Sequence, residues 1–85
     1  MARDNQLMDR ICGTVERVVS GALSDRIDAT ANLIEDLECD ALDIVELSMA
    51  IEDEFDIAVS DHVVHSWSTV DDVYRSVDKI LIGRG

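Results

Sequence analysis

Apolar residues recur at helical spacing in three separate stretches of this 85-residue chain, which contains no proline. Residues three and four apart lie on one face of a helix, so each stretch predicts a helix with a buried face. The expected inward rows are Leu7, Ile11, Val15 and Val18, with Met8, Cys12 and Val19 beside them; Leu47, Ala50, Ile51 and Phe55; and Val70, Val73, Tyr74, Val77, Ile80 and Leu81. These faces can be buried only against one another, which predicts an all-α bundle.

Capping residues and glycines predict where the first two helices end. Gly21 is suited to end the first helix. Asp40 is suited to cap a second helix over residues 41–55, with Asp43 in its first turn. This second helix carries the strongest helical signal in the chain.

Two further caps predict a four-helix arrangement. Ser60 or Asp61 can open a short helix that reaches His65, and Ser68 with Asp71 resembles a capping box that opens the last helix. That last helix is expected to end near residue 82. The bundle therefore has three main helices and a short third one.

The connection between the first two helices is long and irregular. Over residues 22–40 the periodicity fades and turn-forming residues are frequent. Four apolar residues are expected to pin this loop to the core: Ile27, Leu33, Ile34 and Leu37. The chain is predicted to be a single domain over residues 1–85, with its core at about 4–82 and a flexible tail at 83–85.

The excess of acidic over basic residues limits which partners the chain can bind. The chain has 7 Lys and Arg against 19 Asp and Glu, a net charge of −12. Phosphates are neutralised by basic surfaces, so we expect no nucleic-acid binding and basic protein partners instead. No apolar run approaches membrane-spanning length, and the start of the chain is polar, which predicts a cytoplasmic protein with no membrane insertion. Cys12 and Cys39 lack a Cys-x-x-Cys context and are expected to be reduced and structural.

The acidic residues do not form a recognisable calcium loop. With Asp36 at its first position, the loop would need Gly at the sixth and Glu at the twelfth, where the chain has Ala41 and Leu47. Weak binding of divalent ions by the acidic surface stays open. His62 and His65 lack a third ligand, so we expect surface histidines and no metal site. No Gly-rich phosphate loop or nucleophile elbow is present.

The second helix carries a second apolar row beside its core row. Leu42, Val45 and Met49 are three and four residues apart and are surrounded by carboxylates. Two interpretations are open. The row is exposed and serves as a docking face for basic partners, or Leu42 and Val45 pack under the long loop.

Residues 33–57 (LIEDLECDALDIVELSMAIEDEFDI) strongly resemble the central segment of acyl carrier proteins. The resemblance extends over roughly residues 7–81. In that family a serine in an Asp-Ser-Leu motif receives 4'-phosphopantetheine from coenzyme A, in a reaction catalysed by holo-acyl-carrier-protein synthase. Here the motif reads Asp40-Ala41-Leu42, and Ala41 has no hydroxyl, so this chain is expected to remain without the prosthetic group.

The resemblance implies further roles for residues of the second helix. The family carries acyl groups as thioesters between enzymes of fatty-acid, related lipid or polyketide synthesis, including acyltransferases and ketosynthases with basic docking patches. Such a carrier catalyses no reaction itself, so the resemblance implies a protein that is not an enzyme. The implied recognition residues are Asp40, Asp43, Val45, Glu46, Met49, Glu52 and Asp53, and the implied acyl pocket is lined by Leu47, Ala50, Ile51 and Phe55. A monomer is the default expectation.

Ala41 leaves two explanations. The serine was replaced, which gives a carrier fixed in its apo form, or the chain is a natural relative that works without the prosthetic group. The neighbouring motif residues all suit a working carrier, which favours replacement. The alternative function is a regulatory or interaction module that uses the same acidic helix. The acyl cargo and the pathway stay undetermined.

Overall fold

The computed structural model describes residues 5–19, 27 and 29–84. Within these ranges the chain forms four helices: α1 (Asn5–Val18), α2 (Ala41–Phe55), α3 (Asp61–His65) and α4 (Val70–Arg84). The predicted all-α class is confirmed, with a short third helix and a long connection between α1 and α2. The predicted stop at Gly21 lies outside the described residues.

The inward rows of α1, α2 and α4 meet in one core. Its fully buried side chains include Ile11 and Val15 of α1, Leu47 and Ile51 of α2, and Val70, Val73 and Val77 of α4. Four predicted core residues are only half-buried at its margin: Val18, Ala50, Ile80 and Leu81. Trp67, which follows α3, is also buried, and its Nε1 donates to Ser76 Oγ of α4 at 2.9 Å. The aliphatic rows thus hold the three long helices together, and Trp67 fills the space beside α4.

α4 differs from its predicted form at both ends. Thr69 Oγ1 accepts from the N–H of Asp72 at 3.2 Å, and Asp72 Oδ2 accepts from the N–H of Thr69 at 3.0 Å. The predicted Ser68–Asp71 capping pair is therefore wrong by one position, because Val70 is the first helical residue. At the other end the helix continues past the predicted end to Arg84, since a glycine at position 83 weakens a helix without blocking it.

The loop before α2 is fastened to the start of α4 through the backbone. Asn32 and Thr69 form an isolated antiparallel bridge. Beside it, the N–H groups of Val70 and Asp71 donate to the carbonyl groups of residues 31 and 29, each at 3.0 Å. First-turn N–H groups have no partner within their own helix. The loop therefore completes the N-terminal cap of α4.

Three of the four predicted loop anchors pack against the core, and one does not. Leu33 and Leu37 are buried and Ile27 is half-buried against the core, whereas Ile34 is 53% exposed. Asn32 Oδ1 accepts from the N–H groups of Ile34 and residue 35 at 2.9 and 2.8 Å. These two hydrogen bonds close a tight turn that directs residues 34–36 to solvent. The prediction for Ile34 is wrong for that reason.

Candidate functional site

The candidate site begins at the N-terminus of α2, where Ala41 is the first helical residue. Asp40 Oδ1 accepts from the N–H of Asp43 at 2.9 Å, and Asp43 Oδ2 accepts from the N–H of Asp40 at 3.1 Å. This reciprocal pair is a capping box built from two aspartates. The predicted cap is confirmed, and it fixes the direction in which the first turn of α2 leaves the loop.

Ala41 is exposed at this helix start. Its side chain is a methyl group and offers no oxygen for a phosphodiester bond. The exposure and the helix N-terminus suit an attached phosphate, since free N–H groups and the helix dipole favour an anion there. The residue itself does not fit covalent attachment of phosphopantetheine, and no step through that group follows for this chain.

The second apolar row of α2 lies on the surface. Leu42, Val45 and Met49 are 64%, 48% and 62% exposed, respectively. This removes the interpretation in which Leu42 and Val45 pack under the loop. One helix therefore buries one apolar row and presents another to solvent, and such a surface row is characteristic of interaction sites.

Carboxylates surround the exposed row, but they differ in solvent exposure and in hydrogen bonding. Asp40, Glu46 and Asp53 are exposed. Asp43 is half-buried in the capping box, and Glu52 Oε2 accepts from the N–H of residue 59 at 2.8 Å. No Lys or Arg occurs in the sequence between residues 26 and 75. The face is therefore strongly negative, and Glu46 is an exposed carboxylate near the centre of α2.

Two arginines of α1 contact the C-terminal end of this helix. Arg10 and Arg17 both form ion pairs with Glu54, at 3.1 and 3.3 Å. These pairs join residues far apart in sequence, so spacing along the chain gave no signal of them. They neutralise Glu54 and leave Asp53 and Glu46 as the exposed charges of α2.

The residues of the implied acyl pocket lie in or beside the core. Leu47, Ile51 and Phe55 are buried and Ala50 is half-buried. Space among them for an acyl chain stays a prediction. Three grooves lined by described residues lie elsewhere: between α3 and α4, at the start of α4, and between α1 and the end of α2.

Cys39 lies directly before the cap of α2 and is buried. Burial raises the pKa of its thiol, and the charges of Asp43 and Asp40 raise it further. Because the thiolate is the reactive form, this cysteine is protected from chemistry at neutral pH. Its structural interpretation agrees with this environment. His62 and His65 of α3 are exposed, as expected for surface histidines.

Comparisons with known proteins agree with this architecture. Residues 9–77 match the family model described as a phosphopantetheine attachment site. An acyl carrier protein from Akkermansia muciniphila is 38% identical over 77 residues, which cover 91% of this chain and 95% of the relative. One from Bdellovibrio bacteriovorus is 44% identical over 59 residues, covering 69% of this chain and 76% of the relative.

The chain belongs to the acyl carrier protein family. A solved structure of a candidate acyl carrier protein from Mycobacterium tuberculosis superposes with a TM-score of 0.75 at 36% identity, covering 86% of this chain and 96% of the other. The family is one of carriers to which phosphopantetheine is attached, and this member has Ala41 at the start of α2. Among the described residues, no helix is both long and apolar enough to cross a membrane.

Proposed function

We propose that this member of the acyl carrier protein family docks on enzymes of fatty-acid or related lipid or polyketide synthesis through α2. The observation that carries the proposal is the exposure of Leu42, Val45 and Met49 among carboxylates. An apolar centre contributes contact area, and the surrounding negative charge selects partners with basic patches.

Docking of this kind is fast and reversible. Exposed charges raise the association rate and are screened by salt, so affinity falls as ionic strength rises. The partners are holo-acyl-carrier-protein synthase, acyltransferases and ketosynthases. The chain itself catalyses no reaction and works as a monomer in the cytoplasm beside those enzymes.

We infer that the serine-containing form carries acyl groups on 4'-phosphopantetheine and that this chain does not. Leu47, Ala50, Ile51 and Phe55 shelter the acyl chain in the loaded form. With Ala41 the chain keeps the docking face, at Asp40, Asp43, Val45, Glu46, Met49, Glu52 and Asp53, but has no attachment atom. It therefore occupies partner enzymes without delivering cargo.

The alternative is a natural module that regulates basic enzymes without a prosthetic group. Its support is that the capping box of Asp40 and Asp43 forms at the start of α2 without a group attached at position 41. In this case the docking face has the same role, and position 41 has none.

Restoring the attachment atom separates the two functions. The Ala41→Ser variant is incubated with coenzyme A and a holo-synthase, and mass spectrometry measures addition of the phosphopantetheine group. The Ala58→Ser variant, which adds a serine at another exposed alanine, is the matched control. Addition to Ala41→Ser alone supports a carrier. No addition to either variant, with a known carrier modified in parallel, favours the regulatory module.

A further inference from the structure

A groove of about 510 Å³ lies between α3 and α4, on residues that the docking face does not use. It is lined by Val63, Ser66, Arg75, Ser76, Lys79 and Ile80. On α4, Arg75 and Lys79 are four positions apart, and so are Ser76 and Ile80, so the four residues form two adjacent rows along that helix. Pockets for small molecules have volumes of about 300–1,000 Å³ and mostly apolar walls with a few polar groups. The groove has the size of such a pocket, and its apolar wall consists of Val63, Ile80 and the aliphatic stems of the two cations.

The two serines of the groove are already hydrogen-bonded within the protein. Ser76 Oγ donates to the carbonyl of residue 72 at 3.0 Å and accepts from Trp67 Nε1 at 2.9 Å. Ser66 Oγ donates to the carbonyl of Val63 at 2.6 Å. Their hydrogens are therefore committed, and the groups left to bind a polar ligand are the two cations.

The two cations of the groove differ in whether they form an ion pair. Arg75 Nε pairs with Asp71 at 2.9 Å. Lys79 is exposed and has no ion pair within the described residues. This ammonium group lies beside Val63 and Ile80 in a chain with a net charge of −12. It gives the groove a local charge opposite to that of the whole molecule.

We propose that the α3–α4 groove binds a single-chain amphiphile with one anionic head group. The alkyl chain lies against Val63 and Ile80, and the head group pairs with Lys79, with Arg75 as a second cation. A large polyanion is disfavoured, because the net negative charge of the protein repels it. A monoanion meets little of that repulsion and gains the apolar contact. Binding is non-covalent and independent of position 41.

The sequence supplies a reporter for this groove. Trp67 is the only tryptophan and is bonded to Ser76 in the groove wall. Its emission is followed while sodium decanoate, below its micelle-forming concentration, is added to the whole protein. We expect a saturable change for decanoate and a weaker one for 1-decanol, which has the same chain and no charge.

Variants locate the head group. Lys79→Gln is expected to weaken decanoate binding by about threefold and Lys79→Glu by more, with 1-decanol unaffected. Arg17→Gln removes a cation that lines a different groove, and it is expected to leave decanoate binding unchanged. Equal weakening by Lys79→Gln and Arg17→Gln, or equal affinity for decanoate and 1-decanol, overturns the proposal.

A second measurement tests binding even if the emission of Trp67 does not respond to it. Lys79 is the only lysine, so an amine-acetylating reagent modifies it and the N-terminal amine alone. Mass spectrometry is expected to show that decanoate slows acetylation of Lys79 relative to the N-terminal amine. Unchanged emission together with unchanged acetylation of Lys79 excludes the site.

Discussion

The guanidinium carbon of Arg10 in α1 lies 4.4 Å from the centroid of the Phe55 ring at the end of α2. Its Nη2 also donates to the backbone carbonyl of Glu54 at 3.2 Å and to the Glu54 carboxylate at 3.1 Å. The last turn of α2 has no basic residue of its own. Arg10, from another helix, therefore supplies a cation that interacts favourably with the negative end of the α2 dipole.

Replacing Arg10 should cost more stability than replacing Arg17. Arg10→Ala removes an ion pair, a bond to a helix-terminal carbonyl and a cation–π contact, for an expected loss of about 1–2 kcal/mol. Arg17→Ala removes an exposed ion pair and should cost about 0.5 kcal/mol or less. Urea unfolding followed by circular dichroism measures both. Equal losses would show that the contacts of Arg10 with Phe55 and the carbonyl contribute nothing.

Adjacent loop residues should respond very differently to truncation. Leu33→Ala leaves a cavity in the core and should lower the free energy of unfolding by about 2–5 kcal/mol. Ile34→Ala, on the exposed side of the turn, should change it by about 0.5 kcal/mol or less. The midpoint of urea unfolding distinguishes the two. A large loss for Ile34→Ala would place that side chain in the core and contradict the turn at Asn32.

The stability contributed by Asp72 should depend on pH. Burial alone would raise the pKa of this carboxyl, but hydrogen bonds from Ser68 and Thr69, with the charge of Arg75, bring it below its usual value. A lowered pKa in the folded state means that the charged form stabilises the fold above the unfolded pKa of about 3.9. That contribution is lost as pH falls through the folded pKa.

Asp72→Ala should therefore cost about 0.5–2 kcal/mol at pH 7, similar to the loss of an N-cap side chain, because it removes the acceptor for the N–H groups of residues 68 and 69. The gap between this variant and the parent should narrow below about pH 4. Thermal unfolding at several pH values measures it, with the exposed Asp9→Ala as control. A stability difference between Asp72→Ala and the parent that stays constant from pH 7 to 3 would show that the charge of Asp72 does not contribute to the capping of α4.

Charge reversal on the docking face should weaken binding to a holo-synthase. Glu46 is the residue of choice, because it is exposed, whereas reversal at Asp43 would also break the capping box. Glu46→Lys should weaken binding by about tenfold, or about 1.4 kcal/mol, and lower the association rate. Glu16→Lys, the same change on the exposed side of α1, is the matched control. Equal effects of the two variants in surface plasmon resonance would refute the docking face.

Local pattern predicted α2 almost completely. Asp40, the start at Ala41 and the end at Phe55 all follow from capping chemistry and apolar spacing within a few residues. The exposure of Leu42 and Val45 did not follow from the sequence, because an apolar row next to carboxylates suits both a buried and an exposed position. Only the position of the loop decides between them.

The features that sequence reasoning missed depend on contacts between distant segments. The cap of α4 lies at Thr69 because that residue is held in the bridge to Asn32. The ion pair between Arg10 and Glu54 joins α1 to α2. The α3–α4 groove exists only because α3 lies beside α4. None of these has a signature in the spacing of neighbouring residues.

The bridge between Asn32 and Thr69 also has a consequence for the order of folding. It closes a large ring of chain that contains all of α2 and α3, and loop closure costs entropy before its contacts reward it. During synthesis, a nascent chain that has not yet released residue 69 cannot form this bridge. The two ends of the segment that contains the docking helix are therefore joined only after residue 69 has left the ribosome.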